Sequence, residues 1–176
     1  ATATLLPNGK VLAAGGVNGA SVLTATEQYD PVANVWSNVA AMTGARHSHT
    51  TTLLADGKVL AVGGQNDSTV LATAELYDPG ANAWTAAGSI ASARAGHAAV
   101  RLANGKVLVA GGRNSGGTAI DSAGIHDPAT NTWTAAAPLA QVRDRLTLTL
   151  LPSGKVLAAG GVAAGAALAS SEIYDP

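Results

Sequence analysis

The sequence predicts an all-β repeat protein built from about four copies of a four-stranded antiparallel meander, and three observations predict it. The clause Gly-Lys-Val-Leu recurs at Gly9, Gly57, Gly105 and Gly154, 48, 48 and 49 residues apart. A fixed period of that size marks a radial or stacked repeat architecture, because one unit cannot bury its apolar face alone. Within each period four short runs of strand-like alternation are separated by turn signals. No segment has helical spacing.

The first run of each unit is ATATLL (1–6), HTTTLL (49–54), HAAVRL (97–102) or LTLTLL (146–151), whose alternation and Thr, Val and Leu content fit a period-two strand. PNG, ADG, ANG or PSG follows, a tight turn in which Gly takes the positive φ. The second run, KVLAAGG or a close variant, is continuously apolar and predicts a strand buried on both faces. It closes on Gly15-Gly16, Gly63-Gly64, Gly111-Gly112 and Gly160-Gly161, where missing side chains permit close backbone approach. A phosphate cradle would need a following helix and Lys-Ser/Thr, which no unit has.

After each glycine pair comes a variable segment, then a third strand ending in Tyr29-Asp30-Pro31, Tyr77-Asp78-Pro79, His126-Asp127-Pro128 or Tyr174-Asp175-Pro176. Asp-Pro opens a turn in which Asn34, Asn82 and Asn131 tolerate the left-handed position before a fourth strand carrying Trp36, Trp84 or Trp133. Strands are therefore expected near 2–6, 10–14, 25–29 and 34–38, with repeats every 48 or 49 residues.

Composition excludes more than it names. At 47% hydrophobic and 12% charged the chain can fill a core, and a net charge of −1 with mixed signs gives no basic stripe for nucleic acid and no polybasic membrane patch. The absence of cysteine removes disulfides, thiolate catalysis and Cys-ligated zinc. No apolar run reaches the ~20 residues that span a bilayer, so membrane insertion is not expected.

Glycine pair, Tyr-Asp-Pro and Trp, in phase at a period near fifty, resemble the kelch repeat over essentially the whole chain. Glu27, Glu75 and Glu172, and Arg46, Arg94 and Arg143, recur in the same frame, while the third unit has Gly124 and His126 where Glu and Tyr are expected. The resemblance implies a β-propeller with blades at about 1–40, 46–88, 94–137 and 143–176, the first strand of each lining the channel and the Trp strand outermost. It also implies that Tyr and Trp pack between strands and blades. The opening ATATLLPNGK aligns with the segment from His49, so the chain is expected to be part of something longer and to form an arc completed by further blades or another copy.

Arg46, Arg94 and Arg143 stand ten residues beyond each Trp. In kelch domains that bind peptides, Arg at this turn often faces the channel mouth, and three guanidinium groups with the Asn18, Asn66 and Asn114 loops and Arg113 would suit an acidic ligand. The competing reading is that each Arg ties adjacent turns through backbone carbonyls, which recurrence in every unit would also produce. The position of His49 is held by Ala1 in the first unit and Leu146 in the last, so His47, His49 and His97 form no repeating metal-ligand set.

The expected function is a non-catalytic binding or assembly scaffold for a protein or glycan, with no cofactor. The alternative is a set of structural blades within a larger secreted carbohydrate-acting or oxidase-like enzyme whose active site lies elsewhere. Kelch-like radical-copper oxidases need a Tyr-Cys crosslink, which a chain without cysteine cannot form. The Ala-rich, near-identical units also resemble bacterial kelch proteins that are secreted or held at the cell surface.

Overall fold

The computed structural model describes residues 1–176 and contains strands and turns but no helix. The first unit is β1 (Thr2–Leu5), β2 (Val11–Ala14), a small hairpin of β3 (Val17–Asn18) and β4 (Ser21–Val22), β5 (Thr26–Asp30) and β6 (Val35–Val39). The second is β7 (Thr50–Leu53), β8 (Val59–Val62), β9 (Thr73–Asp78) and β10 (Ala83–Ser89), and the third β11 (Ala98–Arg101), β12 (Val107–Ala110), β13 (Ala123–Asp127) and β14 (Thr132–Ala136). The fourth is β15 (Thr147–Leu150), β16 (Val156–Ala159), the hairpin β17 (Val162–Ala163) and β18 (Ala166–Ala167), and β19 (Ser171–Tyr174). Each unit is one antiparallel sheet paired in sequence order, four-stranded in the first three and three-stranded in the last.

The turns follow from their residues. Gly9, Gly57, Gly105 and Gly154 sit at φ between 81° and 85° and close the first hairpin of each blade. Asn34, Asn82 and Asn131 occupy the left-handed region at φ 55°, 48° and 53°, tolerated because Asn has a short polar side chain. The Asp of each Asp-Pro organises this turn. Asp30 Oδ1 accepts the amides of Val32 and Ala33 at 2.9 and 3.1 Å, and Asp78 Oδ1 those of Gly80 and Ala81. The Lys of each Gly-Lys-Val-Leu clause reaches the same carboxylate, Lys10 to Asp30 at 3.1 Å and Lys106 to Asp127 at 2.9 Å. These pairs are half-exposed and add little stability.

Successive sheets face each other. Leu6, Leu12, Val59 and Tyr77 form the core between the first and second blades, a larger cluster with Leu60, Val62, Ile90, Val107 and Val109 lies between the second and third, and a third joins Leu108, Leu146, Val156 and Tyr174. Burial of the second strand on both faces holds for β8 and β12, every residue of which is buried, but β2 and β16 are buried only at alternate positions. The difference is one of neighbours: the outer sheets have a packing partner on one side, and a strand's residues alternate between faces.

The inner strands touch in series, β1 with β7, β7 with β11 and β11 with β15, and no comparable contact joins β15 back to β1. The four sheets are an open arc of propeller blades with no closed ring.

Candidate functional site

Each blade joint is built on one arginine. The Arg46 amide donates to Leu23 O at 3.2 Å and its carbonyl accepts from Gly16 at 2.9 Å, so its backbone belongs to the first blade. Its side chain enters the second, where Nη1 donates to Gly63 O at 2.8 Å and Thr73 O at 3.0 Å and Nη2 to Glu75 Oε1 at 2.7 Å. Arg94 repeats this onto Gly111 O at 3.1 Å and Ser122 O at 2.7 Å, and Arg143 onto Gly160 O at 2.8 Å and Ser170 O at 2.9 Å.

All three arginines are at most 1% exposed. The expectation of a guanidinium ring open to an acidic ligand is corrected by this burial: most of the donors are already committed to carbonyl, hydroxyl and carboxylate oxygens within the fold, and the side chains point between blades. Burial also pulls Arg94 down to about 10.

The glycine pairs make these joints possible. Gly63 and Gly64 have φ 58° and 87°, and a Cβ on Gly63 would stand 2.6 Å from Arg94 O. The Gly64 amide donates to that same carbonyl at 2.8 Å, so bare backbone is needed where the crossover lies against the strand end. Gly15-Gly16, Gly111-Gly112 and Gly160-Gly161 also lie at positive φ.

Aromatic residues complete the joint. Tyr29–Trp36 and Tyr77–Trp84 ring centroids are 5.1 Å apart, and His126–Trp133 5.0 Å, a spacing favourable for aromatic pairs. Trp84 Nε1 donates to Ala40 O of the preceding blade at 2.9 Å, and Trp133 Nε1 to Ala87 O at 2.8 Å. Trp36, on the first blade of the arc, is 56% exposed. His126 replaces Tyr without losing the turn contact: His126 Nε2 lies 3.1 Å from Asn131 Oδ1, as Tyr77 Oη lies 3.0 Å from Asn82 Oδ1.

His49 and His97 are spent on packing between inner strands. Thr2 Oγ1 and His49 Nε2 share a hydrogen bond of 3.0 Å, Thr50 Oγ1 and His97 Nε2 one of 2.9 Å. Burial lowers both imidazoles to about 3, with Arg46 adding to the effect on His49 and Arg94 to that on His97.

The end of the arc that carries the crossovers holds what the joints leave free. Ser48, Gly96 and Arg145 stand at equivalent positions with φ 52°, 65° and 56°. They are chained by Gly96 N–H to Ser48 O at 2.9 Å and Arg145 N–H to Gly96 O at 2.7 Å. Around this belt lie Arg113, donating to Gln65 Oε1 at 3.0 Å, and Asp144, whose Oδ2 is 3.5 Å from Arg113 Nη1 and 3.6 Å from Arg145 Nε. Arg145 is mostly exposed and Asp144 buried, so the outward charge is cationic.

Of the three expected loop residues, Asn66 and Asn114 turn their Oδ1 inward to cap their own loops, Asn66 accepting from Ser68 and Thr69 and Asn114 from Gly116 and Thr118. Asn18 is exposed on β3. The structure brings Arg113 to the crossover end beside Gln65, Asp144 and Arg145 and keeps Arg46, Arg94 and Arg143 beneath it.

The variable segment that holds Gln65 was legible in the sequence as a place for binding, whereas Ser48 was not. The signal available for Ser48 was its place in a segment that differs between units while the frame repeats.

A model described as the Kelch motif matches residues 2–43, 46–89 and 93–140 in succession. No curated protein matches the chain. Those three units cover more than half of the sequence and coincide with the first three four-stranded blades, and the chain belongs to the kelch repeat family.

Proposed function

We propose that this protein is a non-catalytic recognition scaffold that takes an extended acidic polypeptide segment across the crossover end of the arc. The observation that carries the reading is a division of labour between residues: the joints repeat from blade to blade, whereas His47, Gln65, Arg113 and Arg145 differ at equivalent places on that end. Variable side chains on a repeating scaffold are the usual location of binding. Arg113 and Arg145 offer planar donors suited to carboxylates. A protein segment fits better than a glycan, because every Tyr and Trp is in the outer two strands of a blade and none lies at this end to stack on a sugar ring.

The uncovered side of the first blade, with Glu27, Trp36 and Leu5 exposed, takes a further kelch blade. It repeats the Glu, Trp and carbonyl set with which the second blade holds the crossover from the first.

The test is fluorescence anisotropy with short blocked peptides rich in Asp and Glu, against counterparts with Asn and Gln. Acidic peptides are expected to bind, more weakly as salt rises, and to lose roughly tenfold or more in affinity when Arg113 and Arg145 are both changed to Ala. Equal binding of acidic and amide peptides, or no effect of the double substitution, contradicts the reading.

A further inference from the structure

One of the three blade joints lacks its carboxylate. At the first, Glu75 accepts from the Thr43 amide at 2.7 Å, the Gly44 amide at 3.0 Å and Arg46 Nη2 at 2.7 Å. At the third, Glu172 accepts from the Ala140 amide at 2.6 Å and Arg143 Nε at 2.9 Å. At the second joint the equivalent position is Gly124. The matching amides, Ala91 N–H and Ser92 N–H, have no acceptor in the protein, and Arg94 donates only to the neutral oxygens of Ser92, Gly111 and Ser122.

These donors line a cavity of about 340 Å³ whose walls include Ile90, Trp133 and Pro138, and Arg94 is its one charged side chain. Ile90 reaches over Gly124, with Cδ1 3.0 Å from where a Cβ would stand. Met42, the residue at Ile90's place in the first joint, accompanies Glu75.

We propose that this cavity binds a carboxylate supplied from outside the chain, R–COO⁻ with a short aliphatic R, held as Glu75 is held at the first joint. One oxygen takes the Ala91 amide, the other the Ser92 amide and Arg94 Nη2, and the alkyl group lies against Ile90 and Trp133. A buried cation without a counter-charge is costly, and the lowering of Arg94 by burial is consistent with that cost. The inference is independent of acidic-peptide binding at the crossover end, and either can fail without the other.

The test is an amide NMR titration of the 176-residue chain with butyrate, with butyramide as the uncharged control. Butyrate is expected to move the Ala91 and Ser92 amides and the Arg94 Nε–H saturably, with a dissociation constant on the order of 1 mM, and butyramide to move none. The double variant Ile90→Met/Gly124→Glu copies the first joint and supplies the carboxylate internally. It should abolish the butyrate response, and Gly124 has no positive φ to resist the change. A blocked glutamate titrated in parallel assigns the source: tighter binding than butyrate points to a protein side chain, weaker binding to a free acid, and either supports the site. No saturable shift up to about 50 mM butyrate, or equal shifts with butyramide, overturns the proposal in the unmodified protein alone. A response that persists in a folded double variant overturns it equally.

Discussion

Replacing Arg46 with Met tests the assignment of these arginines to the blade joints. Arg46 is 0% exposed, and its loss strands Glu75, which is 5% exposed and would keep two amide donors but no counter-charge. Breaking a buried pair by removing one partner costs about 3–5 kcal/mol. At the second joint Arg94→Met strands only neutral oxygens and removes an unpaired buried cation, so its cost stays near the hydrogen-bond scale, about 1–2 kcal/mol. With an m-value of about 2 kcal/mol/M, urea unfolding followed by tryptophan fluorescence should place the Arg46→Met midpoint about 2 M below the unmodified protein and Arg94→Met less than about 1 M below it. Adding Glu75→Gln to Arg46→Met should recover part of the loss, since the stranded charge is then absent. Equal costs at the two joints, or a cost under about 1 kcal/mol for Arg46→Met, would refute the reasoning.

Three further outcomes follow from the joints. His49 and His97 are held near 3 in the fold against 6.5 when unfolded, so as pH falls the unfolded chain takes up protons first. Stability should be flat above pH 7 and fall between about 6.5 and 3 by about 1.4 kcal/mol per pH unit per histidine. Thr50→Ala/His97→Leu, which copies the Ala98 and Leu146 pair of the last joint, should halve that slope in pH-dependent urea titrations. Trp84→Ala should cost about 3 kcal/mol or more and Trp36→Ala under about 1 kcal/mol, because Trp84, unlike Trp36, is packed and bonded to the preceding blade; matched thermal melts check the ratio. Gly63→Ala should cost more than about 2 kcal/mol, since it forces a side chain onto φ 58° and against Arg94 O, and a melting temperature equal to the unmodified protein would contradict this.

Strand order and turns were legible because they rest on local chemistry. The expected strands agree with the observed ones to within about a residue at most ends, and Asn34, Asn82 and Asn131 adopt the left-handed backbone their position implies. The two-residue hairpins after the glycine pairs of the first and last units were not legible, since so short a strand carries no period.

The direction of the arginines was not legible either. A fixed spacing from Trp places the residue in the crossover but does not say whether its side chain faces the mouth or the next blade. The side-chain hydrogen bonds of Arg46 to Gly63 O, Thr73 O and Glu75 in the next blade settle it. The sequence held a clue in its own repeats: Thr accompanies His at Thr2/His49 and Thr50/His97, Ala accompanies Leu at Ala98/Leu146, and Gly124 accompanies Ile90. Such matched changes are what side chains in contact across a joint produce.

The most direct test of the central claim, that recurrent residues join the blades while the variable crossover end recognises a partner, is an amide hydrogen-exchange footprint of the chain with a tight-binding acidic peptide. The account predicts protection confined to the segments around His47–Ser48, Gln65, Arg113 and Asp144–Arg145. Protection centred on the outer strands Val35–Val39, Ala83–Ser89 and Thr132–Ala136, with the crossover end unchanged, would contradict it.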